Sequence, residues 1–144
     1  MNIRLARPAD CAALAELCRR CIPQPWSAAS FESELEKGSL AVVAEEKERI
    51  VGFAVLGFDG DFAYLHLLAV DDGFRRRGIA RSLMERVHAA AKSSAAERIL
   101  LEVRQSNSTA QALYAALGYE KLAVRRGFYS DPREDGITMQ KVIK

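Results

Sequence analysis

Leu67-Leu68-Ala69-Val70 closes an apolar run, Asp71-Asp72-Gly73-Phe74 turns the chain, and Arg75-Arg76-Arg77-Gly78-Ile79-Ala80-Arg81 opens a helical pattern. A strand, a turn and a helix start in that order aim several free N–H groups at one point, and the helix dipole and the arginines make that point positive. The chemistry such a place supports is phosphate binding, with Gly78 and Ala80 letting a ligand approach the backbone. A solvated surface run of arginines would look the same when taken alone. No Lys-Ser or Lys-Thr follows the glycine and the three-glycine dinucleotide fingerprint is missing, so neither common nucleotide loop applies.

Three further side chains have chemical potential. Glu102 lies in Leu100-Leu101-Glu102-Val103, on the face of a strand opposite Leu101 and Val103. Partial burial makes a carboxylate a stronger base, which suits a general base; an ion pair with Arg104, two residues on and on the same face, is the alternative. Tyr114 sits beside the stripe Leu113 and Leu117, where core filling is the usual fate. A phenol of pKa about 10 can also protonate a departing thiolate, whose conjugate acid has a pKa of about 8.5. Asn107 suits either a helix cap or an amide contact to a ligand. His66 reads as a half-buried, satisfied histidine.

The elements that must position these residues follow from periodicity. Ile3 and Leu5 alternate as a first strand, and Pro8-Ala9-Asp10 leads a helix carrying Leu14, Leu17, Cys18 and Cys21. After Pro23-Gln24-Pro25-Trp26, Ser27 caps a short helix with Phe31 and Leu35 on one face, ended by Gly38. Leu40–Ala44, Ile50–Phe58 and Phe62–Val70 form an antiparallel meander, and Gly78 to about Lys92 repeats Ile79, Leu83 and Val87 at helical spacing. Ile99–Val103 is a strand, and Ser108 with Gln111 is a capping box opening a helix that Gly118 closes. Tyr119–Val124 and Gly136–Val142 are the last strands, around an irregular Gly127–Pro132 loop.

The 144 residues, 49% hydrophobic, suit one domain spanning 1–144 with a proper core. With 21 Lys and Arg against 19 Asp and Glu, the net charge of +2 gives no general case for nucleic acid or membrane. No apolar run approaches the roughly 20 residues that span a bilayer and no signal-peptide core follows Met1, so a cytoplasmic protein is expected. Cys11, Cys18 and Cys21 crowd one helix and form a poor disulfide framework; Cys18 and Cys21 lack the strand-then-helix setting of a redox pair, which favours core packing.

Leu68-Ala69-Val70, Arg75-x-x-Gly78-x-Ala80, Leu101-Glu102-Val103-Arg104-x-Ser106-Asn107 and Ala112-Leu113-Tyr114-x-x-Leu117-Gly118-Tyr119 together resemble the GCN5-related N-acetyltransferases (GNAT). Pro25-Trp26-Ser27, Arg126 with Phe128-Tyr129, and Arg133-Glu134-Asp135-Gly136 narrow the resemblance to the RimI-like branch, which acetylates the N-terminal alanine of a small-subunit ribosomal protein. The resemblance implies an α/β single-domain fold: a central mixed, mostly antiparallel sheet of about six to seven strands flanked by about four helices. It implies acetyl-CoA as co-substrate, without a metal. It assigns Glu102 as proton acceptor and Tyr114 as proton donor. Leu68, Ala69 and Val70 would face the pantetheine arm, Arg76, Arg77, Gly78, Ile79, Ala80 and Arg81 would surround the pyrophosphate, and Asn107 would add a cofactor contact.

The implied acceptor is a protein or peptide N-terminus, with no membrane or direct nucleic-acid partner. Asp131, Glu134 and Asp135 would welcome a basic acceptor tail, or else be solvated loop charges. Ala80 stands where the pattern more often has glycine, which a helical backbone tolerates. A lysine, polyamine or other small amine is the alternative acceptor, and a non-catalytic acyl-CoA-binding module the alternative class.

Overall fold

In the computed structural model, which describes residues 1–144, the chain runs β1 (Asn2–Leu5), α1 (Cys11–Cys21), α2 (Ala28–Glu36), β2 (Leu40–Glu46), β3 (Arg49–Asp59) and β4 (Phe62–Val70). It continues with α3 (Ile79–Lys92), β5 (Arg98–Arg104), α4 (Ser108–Ala116), β6 (Glu120–Tyr129) and β7 (Glu134–Val142). The seven strands form one sheet in the order β1-β2-β3-β4-β5-β7-β6. All pairings are antiparallel except β4 with β5. This is the mixed, mostly antiparallel α/β architecture expected of the GNAT fold.

Alternation in the strands divides the core in two. Val42, Ala44, Ala54, Leu56 and Leu101 pack with the buried stripe Ile79, Leu83, Met84, Val87 and Ala91 of α3 on one face. Ala41, Val43, Phe53 and Val55 pack with Leu14, Leu17 and Cys18 of α1 and Phe31 of α2 on the other. Each fully buried Leu, Val or Phe in these stripes contributes roughly 1.5–3 kcal/mol by leaving water. Ser27 caps α2 as expected, its hydroxyl accepting from the Ser30 N–H at 3.1 Å.

The sheet is interrupted at one place. β4 pairs with β5 only over Phe62–Tyr64 against Arg98–Leu100. In the β3–β4 ladder Leu56 faces Leu65 and Val55 faces Leu67, so His66 is an extra residue, a β-bulge that bends β4. β5 stays paired to β7 along its whole length, from Arg98 to Arg104. The two parallel strands therefore part beyond Tyr64 and leave a wedge between Leu65–Val70 and Leu101–Arg104.

Three local readings are corrected. β6 and β7 run to Tyr129 and from Glu134, so Gly127, Phe128 and Tyr129 lie in a strand and the turn is only Ser130 to Arg133. Register shifts at Leu122 and between Arg125 and Tyr129 absorb the irregularity, with Gly127 at φ 60°. The α4 cap is Asn107, whose Oδ1 accepts from the Ala110 N–H at 3.1 Å; Ser108 is the first helical residue, and Gln111 donates to the Arg104 and Gln105 carbonyls. On α4 the fully buried side chain is Tyr114, while Leu113 and Leu117 are half-buried.

Candidate active site

The phosphate-binding expectation is tested by where the backbone donors go. Arg76 at φ 64° and Gly78 at φ 76° both adopt the left-handed conformation, folding the turn into a concave loop at the head of α3. The N–H groups of Arg76, Arg77, Gly78, Ile79, Ala80 and Arg81 have no acceptor within the chain; the first helical bond runs from Ser82 to the Gly78 carbonyl. Six successive donors at a positive helix end fit a pyrophosphate.

The arginines divide into two sets. Arg75 bonds the Val70 carbonyl at 3.3 Å and Asp72 at 3.1 Å, while Arg77 lies 4.8 Å over the Phe74 ring and 3.5 Å from Glu46. Arg76 and Arg81 make no ion pair and, with the ion-paired Arg75, line a cleft of roughly 700 Å3. Leu68, Ala69, Val70, Gly78, Ile79, Ala80, Asn107 and Tyr114 line the same cleft, and Arg77 does not. Cys21 and Ile22 at the end of α1, and Thr109, Ala110 and Leu113 of α4, also line it. Of these five only Leu113 stands in a segment quoted for the resemblance; the chain's path brings the others there.

The open edge of β4 is the second wall. The Asp71 N–H donates to the Val51 carbonyl at 2.8 Å, so in an antiparallel ladder Asp71, Ala69 and Leu67 turn their polar groups toward β3. Leu68 and Val70 turn theirs toward the wedge. A chain with amide groups can pair there as an added strand.

Glu102 sits at the bottom of the wedge on the α1–α2 face of the sheet. The Tyr64 hydroxyl from β4 donates to its Oε1 and the Thr138 hydroxyl from β7 donates to its Oε2. The alternative partner, Arg104, is engaged elsewhere, at 3.2 Å from Glu134. Tyr64 and Thr138 were not singled out from the sequence, because each looks like ordinary strand composition. Burial and the bond to Glu102 push the Tyr64 phenol pKa well up, so it stays a donor.

Tyr114 approaches from the opposite face, within the α3-side core and edge-on to Tyr119 at 5.6 Å. Its side chain is 7% exposed, its hydroxyl has no partner in the chain, and no buried side-chain polar atom is left unpaired. The hydroxyl therefore emerges into the cleft. Burial, and then the neighbouring Tyr129, raise the phenol pKa, which keeps its proton in place. Tyr129 lies near both sides of the seam, its own pKa raised by burial and then by the Glu102 charge.

Around Glu102 the same face carries aromatic rings. The His66 ring lies tilted 5.5 Å from Trp26 and 5.1 Å from Tyr64, with Nε2 3.5 Å from Glu34, and burial lowers its pKa against the pull of that carboxylate. A Cβ on Gly57 would stand 2.6 Å from His66 Nε2, so glycine makes room for the ring. On the far side Phe128 packs over Gly136, where a Cβ would meet the ring at 3.1 Å, and Arg125 lies 4.6 Å over Phe128. Two of the three acids expected to attract a basic tail are engaged: Glu134 by Arg104 and the Ser106 N–H, Asp135 by the Gly127 N–H at 2.8 Å. No group of three His, Cys, Asp or Glu is placed to hold a metal ion, and no helix is long and apolar enough to cross a membrane.

The chain is similar to known proteins. The model of the acetyltransferase (GNAT) family matches residues 11–119. The ribosomal protein bS18-alanine N-acetyltransferase of Escherichia coli strain K12 is 34% identical over 117 residues, covering 80% of this chain and 79% of that one. The enzyme of the same description from Salmonella typhimurium is 32% identical over 140 residues, covering 96% and 95%. The crystal structure of the ribosomal-protein-S18-alanine N-acetyltransferase from Escherichia coli superposes with a TM-score of 0.91 at 31% identity, over 99% of this chain and 94% of that one. With its donor-lined helix start, parted strands and these relatives, the chain belongs to the acetyltransferase (GNAT) family and is an acetyl-CoA-dependent N-acetyltransferase.

Proposed function

We propose that the acceptor is the N-terminal α-amine of a protein, with alanine as first residue and a ribosomal protein as the natural class, and that Glu102 and Tyr114 move the protons. The observation that carries the chemistry is their placement on opposite faces of the seam where β4 and β5 part. Acetyl-CoA then lies along the cleft on the α3–α4 side, and the amine enters from the α1–α2 side. The relatives described as alanine N-acetyltransferases support the acceptor.

An α-amine has a pKa of about 7.7 to 8.0 against about 10.4 for lysine, so its deprotonation near neutrality is easier by about 3 kcal/mol. Glu102 takes that proton, directly or through water. The nitrogen bonds to the thioester carbon, the inward N–H of Leu68 or Val70 stabilises the developing oxyanion, and the C–S bond breaks. Tyr114 gives its proton to the leaving thiolate, the nitrogen sheds its second proton as the amide forms and so restores the phenol through solvent, and Glu102 returns its proton to water; the products are the N-acetyl peptide and CoA.

Initial rates of CoA release test this on peptides with free N-terminal alanine, the same peptides N-acetylated, lysine-only peptides and polyamines. Turnover confined to free N-termini is expected. Turnover of lysine or polyamine with silence on N-termini replaces the acceptor.

A further inference from the structure

Arg104 stands two residues beyond Glu102 on the same strand face, and its guanidinium is spent on one target. Nη1 donates to the Pro132 carbonyl at 2.9 Å and to Glu134 Oε1 at 3.2 Å, and Nη2 donates to the Ser130 carbonyl at 3.2 Å. The guanidinium carbon lies 4.5 Å over the Tyr129 ring. Glu134 is held from its other oxygen by the Ser106 N–H at 2.6 Å. Ser130, Asp131, Pro132 and Arg133 make no backbone-to-backbone hydrogen bond of their own.

The turn between β6 and β7, closed at its base by the Tyr129–Glu134 pair, is thus held across its tip by a side chain of β5. A planar fork that bonds two carbonyls and a carboxylate while stacking on a ring is a task for arginine, not lysine. From the opposite wall Gln24 donates to the same Ser130, at 2.9 Å to the hydroxyl and 3.2 Å to the carbonyl. The turn therefore sits between the segment joining α1 to α2 and the Glu102 face.

We propose that Arg104 is the positioning residue of the acceptor cleft: it holds the Ser130–Glu134 turn, and Tyr129 with it, as the wall beside Glu102 against which the incoming amine is oriented. This rests on the acceptor entering from the α1–α2 face, as argued above. Arg104 touches neither the acetyl-CoA cleft nor the reacting atoms. Its loss acts on acceptor binding through the turn.

The test combines amide hydrogen exchange with kinetics on Arg104→Lys and Glu134→Gln. In Arg104→Lys, exchange at the hydrogen-bonded base of the turn, residues 127–129 and 134–135, accelerates while α3 and β3 keep their protection. The acceptor KM rises roughly tenfold or more with acetyl-CoA affinity unchanged, because a misplaced wall costs orientation. Glu134→Gln, which removes one arm only, gives the smaller effect of the same kind and serves if Arg104→Lys fails to fold. Unchanged exchange at the base of the turn overturns the proposal, as does a parallel loss of acetyl-CoA affinity and overall protection. The exchange arm needs no acceptor, and the kinetic arm uses whichever amine is turned over, so failure here is distinguishable from failure of the α-amine reading.

Discussion

Tyr64, the last residue of β4 to pair with β5, donates a hydrogen bond from its hydroxyl to the Glu102 carboxylate two residues beyond that rung, where the strands have parted. Thr138 of β7 holds the other carboxylate oxygen from the opposite side. The carboxylate is thereby fixed in orientation by two neighbouring strands, with its remaining lone pairs free for an amine or a water.

Glu102→Gln keeps the shape, with one hydroxyl still donating to the amide oxygen and the other accepting from its nitrogen, but cannot accept a proton. At pH 7 kcat/KM on a peptide acceptor falls by about a hundredfold. The deficit narrows above pH 8, where an α-amine of pKa about 7.7 to 8.0 is already free. A pH–rate profile of both enzymes checks this; a loss constant across pH, or no loss, gives Glu102 another role.

Tyr114→Phe removes one hydroxyl that bonds nothing in the folded chain. Stability therefore changes little, acetyl-CoA binding by calorimetry stays within a factor of about two, and kcat falls by roughly ten- to a hundredfold. Full activity in Tyr114→Phe would leave thiolate protonation to solvent.

The arginines give a contrast within one motif. Arg76→Ala and Arg81→Ala remove cations facing the cleft without ion-pair partners, so each weakens acetyl-CoA binding by roughly tenfold at low salt and less at high salt. Arg77→Ala removes a side chain occupied by Phe74 and Glu46 and leaves that affinity within about twofold. Equal losses at all three positions would contradict the division.

The donor-lined loop at the head of α3 was legible because its signal is local: a strand, a turn and a glycine at a helix start lie within about a dozen residues. The meander was legible because Leu40–Ala44, Ile50–Phe58 and Phe62–Val70 are dense in β-formers. The clamp on Glu102 was not, since Tyr64 and Thr138 lie 38 and 36 positions away and meet it only through sheet order. Arg104 invited the same-face pairing with Glu102, and its true partner Glu134 is supplied by a hairpin whose extent was hidden by bulges and Gly127. Ser108 lost the cap to Asn107 because either residue type caps equally well.

His88 offers a pH-dependent test of the fold. Its Nε2 lies 2.9 Å from the Tyr119 hydroxyl, and burial, with Lys141 and Lys92 nearby, pushes its pKa down to about 4 from 6.5. Between these values the unfolded chain binds a proton that the folded chain refuses, so stability falls as pH drops through the window and is level above it. The expected loss is about 1 to 2 kcal/mol after solvent screening, read from denaturant unfolding at pH 4.5 and 7. His88→Gln should flatten that slope; an unchanged slope would assign it to other groups.

The most direct measurement of the central claim is the position of the acetyl group on a peptide that carries both a free N-terminal alanine and an internal lysine, located by fragmentation mass spectrometry after reaction with acetyl-CoA. The account predicts acetyl on the α-nitrogen alone. Acetyl on the lysine Nζ, with the N-terminus left free, would contradict it.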